Sequence, residues 1–229
     1  METLIAEDLL LLLLDDESGK LTLTSYPQAV LGGALLVELA SAGAVEVEEQ
    51  TGVWHSAKVR ALPGAAPQDA VLRTAYDVVA AKPRTAHDLV DRLGKGTREA
   101  LAERLGARGI LERHDDRVLG LFPRTRWPAV DSSREQEVRR QLTAVLVQGV
   151  EPDERTGALV ALLSAIDKPH QVVDHEGLSA GQVRKRAKQV AKGDWAAKAV
   201  RDAITASTAA ITAVAATTAA AAAAGGAGT

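Results

Sequence analysis

The segment 94–98, Gly-Lys-Gly-Thr-Arg, combines the residue types that bind a phosphate group. A multiply charged anion needs convergent Lys or Arg donors, preferably beside free backbone N–H groups at the start of a helix. The two glycines allow close backbone approach, and Thr97 opens a predicted helix whose positive dipole end points at the segment. The segment therefore predicts an anion site at Lys95 and Arg98. An ordinary loop with solvated charges is the alternative.

A second group of basic residues shares one face of a predicted helix at about 179–192. Arg184, Lys188 and Lys192 recur at a spacing of four residues, so they lie above one another on that face. Such a face can rest against anionic lipid headgroups. A solvated helix face is the alternative, because charged residues at this spacing also occur on ordinary exposed helices.

Residues 112–127 predict a β-hairpin with an apolar arm. A turn is expected at 114–117, where His, Asp, Asp and Arg cluster, and the run 118–122 is apolar. An exposed arm of this kind favours contact with a membrane or with a second copy of the chain. The candidates for this contact are Leu119, Leu121, Phe122 and Trp127. Packing of the hairpin on its own domain is the alternative.

Catalytic and metal-binding motifs are not found in the sequence. The closest set of possible metal ligands, His170, Asp174, His175 and Glu176, falls between two predicted helices and has no His pair spaced by four residues. The sequence has no G-x-S-x-G, Walker or G-x-G-x-x-G motif, and no cysteine. We therefore expect no catalytic residue, no metal and no cofactor, and a protein that is not an enzyme.

Composition and charge describe an ordinary folded protein with a slightly acidic balance. The 229 residues are 46% hydrophobic and 25% charged, which is enough for one sizeable core. The net charge of −3 gives no overall field that would draw the chain to nucleic acid or to an anionic membrane, so anion binding must come from a local patch. The absence of cysteine and of a basic segment before the first leucines favours a cytoplasmic location.

The elements that position these residues are predicted to be mainly α-helical: a helical bundle core with amphipathic helices around it and short β-hairpins. The abundance of alanine and the low aromatic content suit closely packed helices. Helices are predicted at about 3–14, 28–41, 68–81, 85–93, 97–108, 133–147, 153–165, 179–192 and 195–204. A second hairpin is predicted at 45–59. Residues 1–204 are assigned to one domain, and residues 205–229 to an Ala/Thr/Gly-rich low-complexity tail with frayed helical character.

Five stretches occur in a distinctive order and spacing: residues 4–12, 15–19, 33–40, 98–111 and 155–162. Together they resemble the Golgi phosphoprotein 3 family, in particular its bacterial relatives, from about residue 4 to about residue 201. The resemblance implies a helical fold around a central bundle and no known enzymatic activity. It also implies peripheral membrane binding through a pocket for the phosphatidylinositol 4-phosphate headgroup.

The resemblance also assigns roles to individual positions. The resemblance implies a pocket formed by a tryptophan and three arginines. Two of the arginine positions match Lys95 and Arg98, which are basic here. The other two positions fall on Leu23 and Gly32, so the aromatic ring and one guanidinium are absent. The family's hairpin for self-association and membrane contact matches 112–127. The function expected is a peripheral membrane adaptor for a phosphoinositide or another anionic lipid headgroup, with a possible homo-oligomer and membrane-protein client as partners.

A winged-helix DNA-binding regulator is the alternative function. Residues 85–127 read as helix, turn, helix and hairpin, with 97–108 as the would-be recognition helix. Three arginines on that helix could contact DNA phosphates: Arg98, Arg104 and Arg108. Against this stand the acidic pI and the like-charged Glu99 and Glu103 on the same helix, which would repel phosphates, so a nucleic-acid partner is not expected.

Overall fold

The chain folds mainly into α-helices, as the sequence predicts. The computed structural model describes residues 3–48, 57–118 and 122–225, and helix makes up 60% of the chain. The helices are α1 (Ile5–Leu13), α2 (Pro27–Ser41), α3 (Ala70–Ala80), α4 (Ala86–Gly94), α5 (Thr97–Ala107), α6 (Ser133–Thr143), α7 (Glu154–Ala165), α8 (Ala180–Val190) and α9 (Lys198–Gly225). A π-helical segment, Ala144–Gln148, continues α6, and a 3-10 turn, Pro169–Gln171, precedes α8. Helices α1 to α8 lie close to their predicted positions, and α9 combines the helix predicted at 195–204 with the helical extension predicted for the tail.

Helix α2 lies at the centre of the molecule and contacts α1, α3, α4, α5, α7 and α9. Its residues are apolar nearly all round and most of its side chains are buried, which agrees with the central position predicted for it. It crosses α4 at very short distance through two glycines. A Cβ on Gly32 would lie 1.9 Å from the carbonyl oxygen of Val90, and one on Gly94 would lie 1.8 Å from that of Gln28. Only glycine therefore fits at these two positions.

Helix α1 is buried on every side and packs on α2, α5, α6 and α7. Its leucine run, Leu9–Leu13, fills the space between these helices. At roughly 1.5 to 3 kcal/mol for each fully buried leucine, this run contributes strongly to the hydrophobic core. The helix also carries two fully buried acidic residues, Glu7 and Asp8, which the surrounding helices must neutralise.

The described residues form two small antiparallel sheets, and the first has three strands in the order β1-β2-β3. The strands are β1 (Val45–Val47), β2 (Lys58–Ala61) and β3 (Arg84–Thr85). Val45 lies opposite Ala61, so the hairpin predicted at 45–59 is present as the pairing of β1 with β2. Strand β3, which the sequence did not predict, pairs with the other edge of β2 and leads directly into α4.

The second sheet is a hairpin of β4 (His114–Val118) and β5 (Phe122–Arg126). The predicted hairpin is therefore present, but the predicted position of its turn is wrong. The His-Asp-Asp-Arg cluster lies within β4, because backbone pairing with β5 outweighs the local turn preference of the two aspartates. Val118 lies opposite Phe122, and the strands join through 119–121, which lie outside the described residues.

Helix α9 packs along α2, α4 and α7 with its first half. The buried residues of this half are Val200, Ala203, Ile204, Ser207, Ala210 and Ile211. From Thr212 onward the described side chains are mostly exposed. By length and composition alone, Lys198–Ala222 is apolar enough to cross a membrane, and 28% of its most apolar window is buried in the protein. The helix runs without interruption through residue 204, where the boundary between domain and tail stays a prediction.

Candidate functional site

The predicted anion site lies at the corner between α4 and α5. Helix α4 ends at Gly94, Lys95 turns the chain, and Gly96 adopts a left-handed φ of +74° before α5 begins at Thr97. The buried hydroxyl of Thr97 donates a hydrogen bond to the carbonyl of Leu93. This bond and the left-handed glycine fix the geometry of the corner.

Charge and free donors meet at this corner. Lys95 is exposed and Arg98 is half-buried, and neither makes an ion pair or a side-chain hydrogen bond with the described residues. The backbone N–H groups of residues 97–99 find no acceptor there either, because the hydrogen bonds of α5 begin with Ala100 N–H, which donates to the Gly96 carbonyl over 3.2 Å. Two cations and the positive end of a helix dipole therefore lie within a few residues of one another.

An open cleft of about 410 Å³ begins beside Lys95, between α3 and the α4–α5 corner. Most of its lining is apolar: Leu35, Val71, Ala75, Val78, Leu93 and Ala100. Lys95 and Arg92 are the charged residues in the lining, and Arg92 also pairs with Asp88 at 2.8 Å. The cleft thus joins an apolar surface to a cationic edge.

The structure accounts for both positions at which the chain departs from the family's pocket. Gly32 lies in the crossing of α2 and α4, so the backbone of α4 occupies the space that an arginine side chain would need. Leu23 is half-buried and packs against the hydrophobic core. The aromatic ring and the third guanidinium of the pocket therefore have no counterpart at these positions.

Arg184 and Lys188 line a shallow depression of about 460 Å³ on the outer face of α8, together with two further lysines. The Nε atom of Arg184 lies 3.1 Å from a carboxylate oxygen of Asp167, so part of its charge is already matched. Lys188 is exposed. The depression is separate from the cleft beside Lys95, so the structure does not bring the two basic groups into one site.

Trp127 is buried in its own domain, as in the alternative interpretation of the hairpin, and its contact with a membrane or a second subunit stays a prediction. Its side chain is only 6% exposed, and its ring lies so close to α5 that a Cβ on Gly106 would be 3.0 Å from ring atom Cζ3. The guanidinium of Arg113 lies 6.0 Å from the ring centroid. Trp127 follows β5 at the base of the hairpin, where a large aromatic side chain contributes strongly to packing.

The other predicted contact residues of the hairpin are not tested by the structure. Leu119 and Leu121 lie outside the described residues, as does the side chain of Phe122. Self-association or membrane contact through the apolar arm therefore stays a prediction from the resemblance.

Comparison with known protein families shows which family the chain belongs to. The family described as Golgi phosphoprotein 3 (GPP34) matches residues 5–207. The chain belongs to the Golgi phosphoprotein 3 family. The match confirms the resemblance seen in the sequence and extends from α1 into α9. A search of curated proteins gives no match. The family is associated with membrane and Golgi surfaces.

This member of the family also has a buried ion-pair network that sequence reasoning missed. The carboxylate of Asp8 accepts hydrogen bonds from the guanidinium groups of Arg134 in α6 and Arg155 in α7, each with a shortest N–O distance of 2.6 Å. The hydrogen bonds to Asp8 raise the pKa of Arg134. A Glu-Asp pair inside an otherwise apolar helix is the sequence signal that could have indicated such a network.

The neighbouring carboxylate, Glu7, binds α1 to α5. It lies 3.0 Å from Nε of Arg104 and 3.1 Å from Nη1 of Arg108, and it also accepts the backbone N–H of Leu4 at 2.7 Å. Arg104 pairs with Asp69 as well. Two of the three arginines on the would-be recognition helix are therefore committed to ion pairs inside the protein, which weighs against the winged-helix alternative. A salt-dependent mobility shift on duplex DNA would favour that alternative.

Glu38 of α2 borders the same network and an open pocket of about 890 Å³. Its carboxyl accepts a hydrogen bond from the backbone N–H of Ile5. Burial raises the pKa of Glu38 to about 7, against the opposing effects of that hydrogen bond and of Arg155, and the nearby charges of Asp8 and Glu7 add to the rise. This carboxyl therefore titrates near neutral pH.

No group of three or more His, Asp and Glu side chains that could hold a metal ion occurs among residues 3–48, 57–118 and 122–225. The segment 170–176 contains the closest set of possible metal ligands in the sequence. There, a ring nitrogen of His170 lies 3.3 Å from the guanidinium of Arg184, and Nδ1 of His175 lies 2.8 Å from the carbonyl oxygen of Leu178. Burial, followed by the charge of Arg184, lowers the pKa of His170. The expectation of no metal, cofactor or catalytic residue stays a prediction.

Proposed function

We propose that this Golgi phosphoprotein 3 family member is a peripheral membrane adaptor that binds an anionic, phosphoinositide-type lipid headgroup at Lys95 and Arg98. The observation that carries the proposal is the α4–α5 corner, where both cations lack an acidic partner in the described structure and flank free N–H groups at a helix start. Phosphate oxygens accept charge-assisted hydrogen bonds from such groups. The family's association with membrane surfaces supports a lipid as the source of the phosphate.

The lipid selectivity of this site rests on charge more than on shape. A stacking ring is missing at Leu23, and α4 fills the space at Gly32, so Arg98 is the one guanidinium left of the family pattern and fewer contacts distinguish one headgroup from another. We therefore propose binding to phosphatidylinositol 4-phosphate and to other anionic lipids, with modest preference among them. No chemical step belongs to this function. The docked protein would hold a membrane-protein client at the cytoplasmic face.

Vesicle flotation tests the proposal with one matched pair of variants. The double variant Lys95→Ala/Arg98→Ala should bind vesicles containing phosphatidylinositol 4-phosphate at least tenfold more weakly than wild type. The reason is that each hydrogen bond between charged groups contributes about 1.5 to 3 kcal/mol when the phosphate is partly desolvated. The control, Arg73→Ala/Lys82→Ala, removes the same charge from two exposed positions outside the corner and should bind like wild type.

Two results would contradict this assignment. Equal flotation of the wild type on neutral phosphatidylcholine vesicles would show that headgroup charge is not recognised. Wild-type affinity of the Lys95→Ala/Arg98→Ala variant, combined with loss of binding in Arg184→Ala/Lys188→Ala, would move the site to the outer face of α8. Circular dichroism on each variant confirms that helix content is unchanged.

A further inference from the structure

We propose that the cleft beside Lys95 takes one acyl chain of the anionic lipid whose headgroup binds at the α4–α5 corner. This inference rests on the proposed function and assigns the hydrocarbon part of the same lipid to the cleft. The headgroup site and the cleft share Lys95, so one amphiphilic molecule can reach both.

The wall that α3 forms presents apolar side chains to the cleft. Leu72 and Val79 turn into the core, whereas Val71 and Val78 are only partly buried and line the cleft on another side of the helix. The buried Leu35 of α2 also belongs to the lining. An apolar ligand would remove this surface from water, which favours its binding.

The hydroxyl groups of the cleft are already used within the protein. Thr74 donates to the carbonyl of Ala70 at 3.0 Å, and Thr97 donates to the carbonyl of Leu93. Neither hydroxyl has a hydrogen left to donate, so a peptide in the cleft would bury backbone C=O groups without partners from these side chains, which is costly. A hydrocarbon chain has no polar groups to satisfy.

The charges of the lining decide which kind of apolar ligand fits. Both are positive: Arg92 is paired with Asp88, whereas Lys95 has no acidic partner among the described residues and lies next to the free N–H groups that begin α5. This distribution complements an amphiphile with an anionic end and a hydrocarbon end. The occupant we assign is therefore an acyl chain attached to the phosphate-bearing headgroup, and a neutral apolar molecule would leave the cationic edge unused.

Isothermal titration of the full chain with two soluble probes tests this assignment. The first probe is dioctanoyl phosphatidylinositol 4-phosphate below its micellar concentration, and the second is the same headgroup without acyl chains. Burial of only a few methylene groups changes affinity by about tenfold or more, so the acylated probe should bind at least tenfold more tightly. Ala100→Phe, which fills the cleft from α5, should remove this gain and leave the affinity for the deacylated probe unchanged.

The matched control is Ala80→Phe, which adds the same ring at an exposed helical position outside the cleft and should keep the gain. If Ala100→Phe does not fold, Thr74→Phe fills the cleft from the opposite wall. Equal affinity of the wild type for the two probes, or retention of the gain in a folded cleft-filling variant, would overturn the acyl-chain assignment and leave the headgroup site standing. Binding of neither probe would overturn both.

Discussion

The carboxylate of Asp8 shows how single residues hold this fold together. It has no exposed surface, and a buried carboxylate costs several kcal/mol unless it is paired and hydrogen-bonded. Arg134 and Arg155 supply that pairing from two different helices. The pairing explains how a leucine-rich helix can carry acidic residues in its first turn without unfolding.

Asp8→Asn should therefore destabilise the protein strongly. Removal of the charge leaves two partly buried guanidinium groups without a counter-ion, and we expect a loss of about 3 kcal/mol in the free energy of unfolding, measured by urea denaturation. The control is Glu137→Gln, which removes the charge from an exposed pair with Arg140 and should change stability far less, because solvent screens this pair. Similar losses in the two variants would contradict the importance given to burial.

Glu38 should make stability depend on pH in the opposite direction from an ordinary paired carboxylate. Its pKa is raised from 4.5 in the unfolded chain to about 7 in the folded protein, so between these values the folded state binds more protons. Stability should then fall as the pH rises from about 4.5 to 7 and level off above that range. Burial also raises the pKa of Glu135 to about 7, and a hydrogen bond that the protonated Glu135 carboxyl donates to Asp16 is the next cause, so that residue acts in the same direction.

Glu38→Gln separates the contribution of Glu38 to this pH dependence from that of Glu135. The amide oxygen can still accept the N–H of Ile5 but does not titrate, so the loss of stability between pH 5 and 8 should shrink by about 1 to 2 kcal/mol relative to wild type, with solvent screening taken into account. Thermal unfolding at several pH values measures this change. Identical pH profiles for the variant and wild type would show that Glu38 keeps its ordinary pKa.

Residues whose role follows from one short segment could be predicted, whereas contacts between residues far apart in the sequence could not. The corner at Lys95 and Arg98 follows from a short segment of glycines and a helix-starting threonine. The partners of Asp8, by contrast, lie 126 and 147 positions away along the chain. No periodicity or motif indicates which of the many arginines will meet a given carboxylate.

At the scale of elements, the crossing of α2 and α4 determines both the core and the shape of the candidate site. Gly32→Ala should destabilise the protein by at least 1 to 3 kcal/mol, roughly the cost of overpacking, because the added Cβ meets backbone that has no room to move. Gly181→Ala is the matched control in α8, where the Cβ meets nothing closer than 3.9 Å, and it should be neutral or stabilising by up to about 1 kcal/mol. Equal stability of the two variants in urea would contradict the close crossing.

Helical periodicity predicted the positions of α1 to α8, because their apolar residues recur at helix spacing and capping residues mark several of their ends. The hairpin turn at 114–117 was misplaced since local turn preference was weighed without the pairing partner in β5. The tail beyond residue 204 was predicted only as a frayed helical extension, because its Ala/Thr composition has little amphipathic pattern, and its packing on the core was not predicted. Burial of Ile211 against Gly33 of α2 shows that tertiary packing continues the helix there.

For the whole molecule, the acidic net charge and the basic corner act in opposite directions on an anionic surface. Because the attraction is local and exposed, raising salt from about 0.1 M to 1 M, which shortens the Debye length from about 10 Å to 3 Å, should weaken flotation on anionic vesicles. Flotation repeated at stepwise salt concentrations measures this change in binding. Unchanged binding at high salt would indicate that apolar insertion rather than charge holds the protein on the membrane.

The ion pairs of α1 also constrain the order in which the chain can fold during synthesis. At about 5 to 20 residues per second, a ribosome needs about 7 to 30 s to travel the 147 positions from Asp8 to Arg155. We infer that α1 is made well before its partners and is fixed in place late, with its leucines open to chaperones until then. Ribosomes arrested before residue 155 should carry an N-terminus that protease removes, and arrest after α9 should protect it.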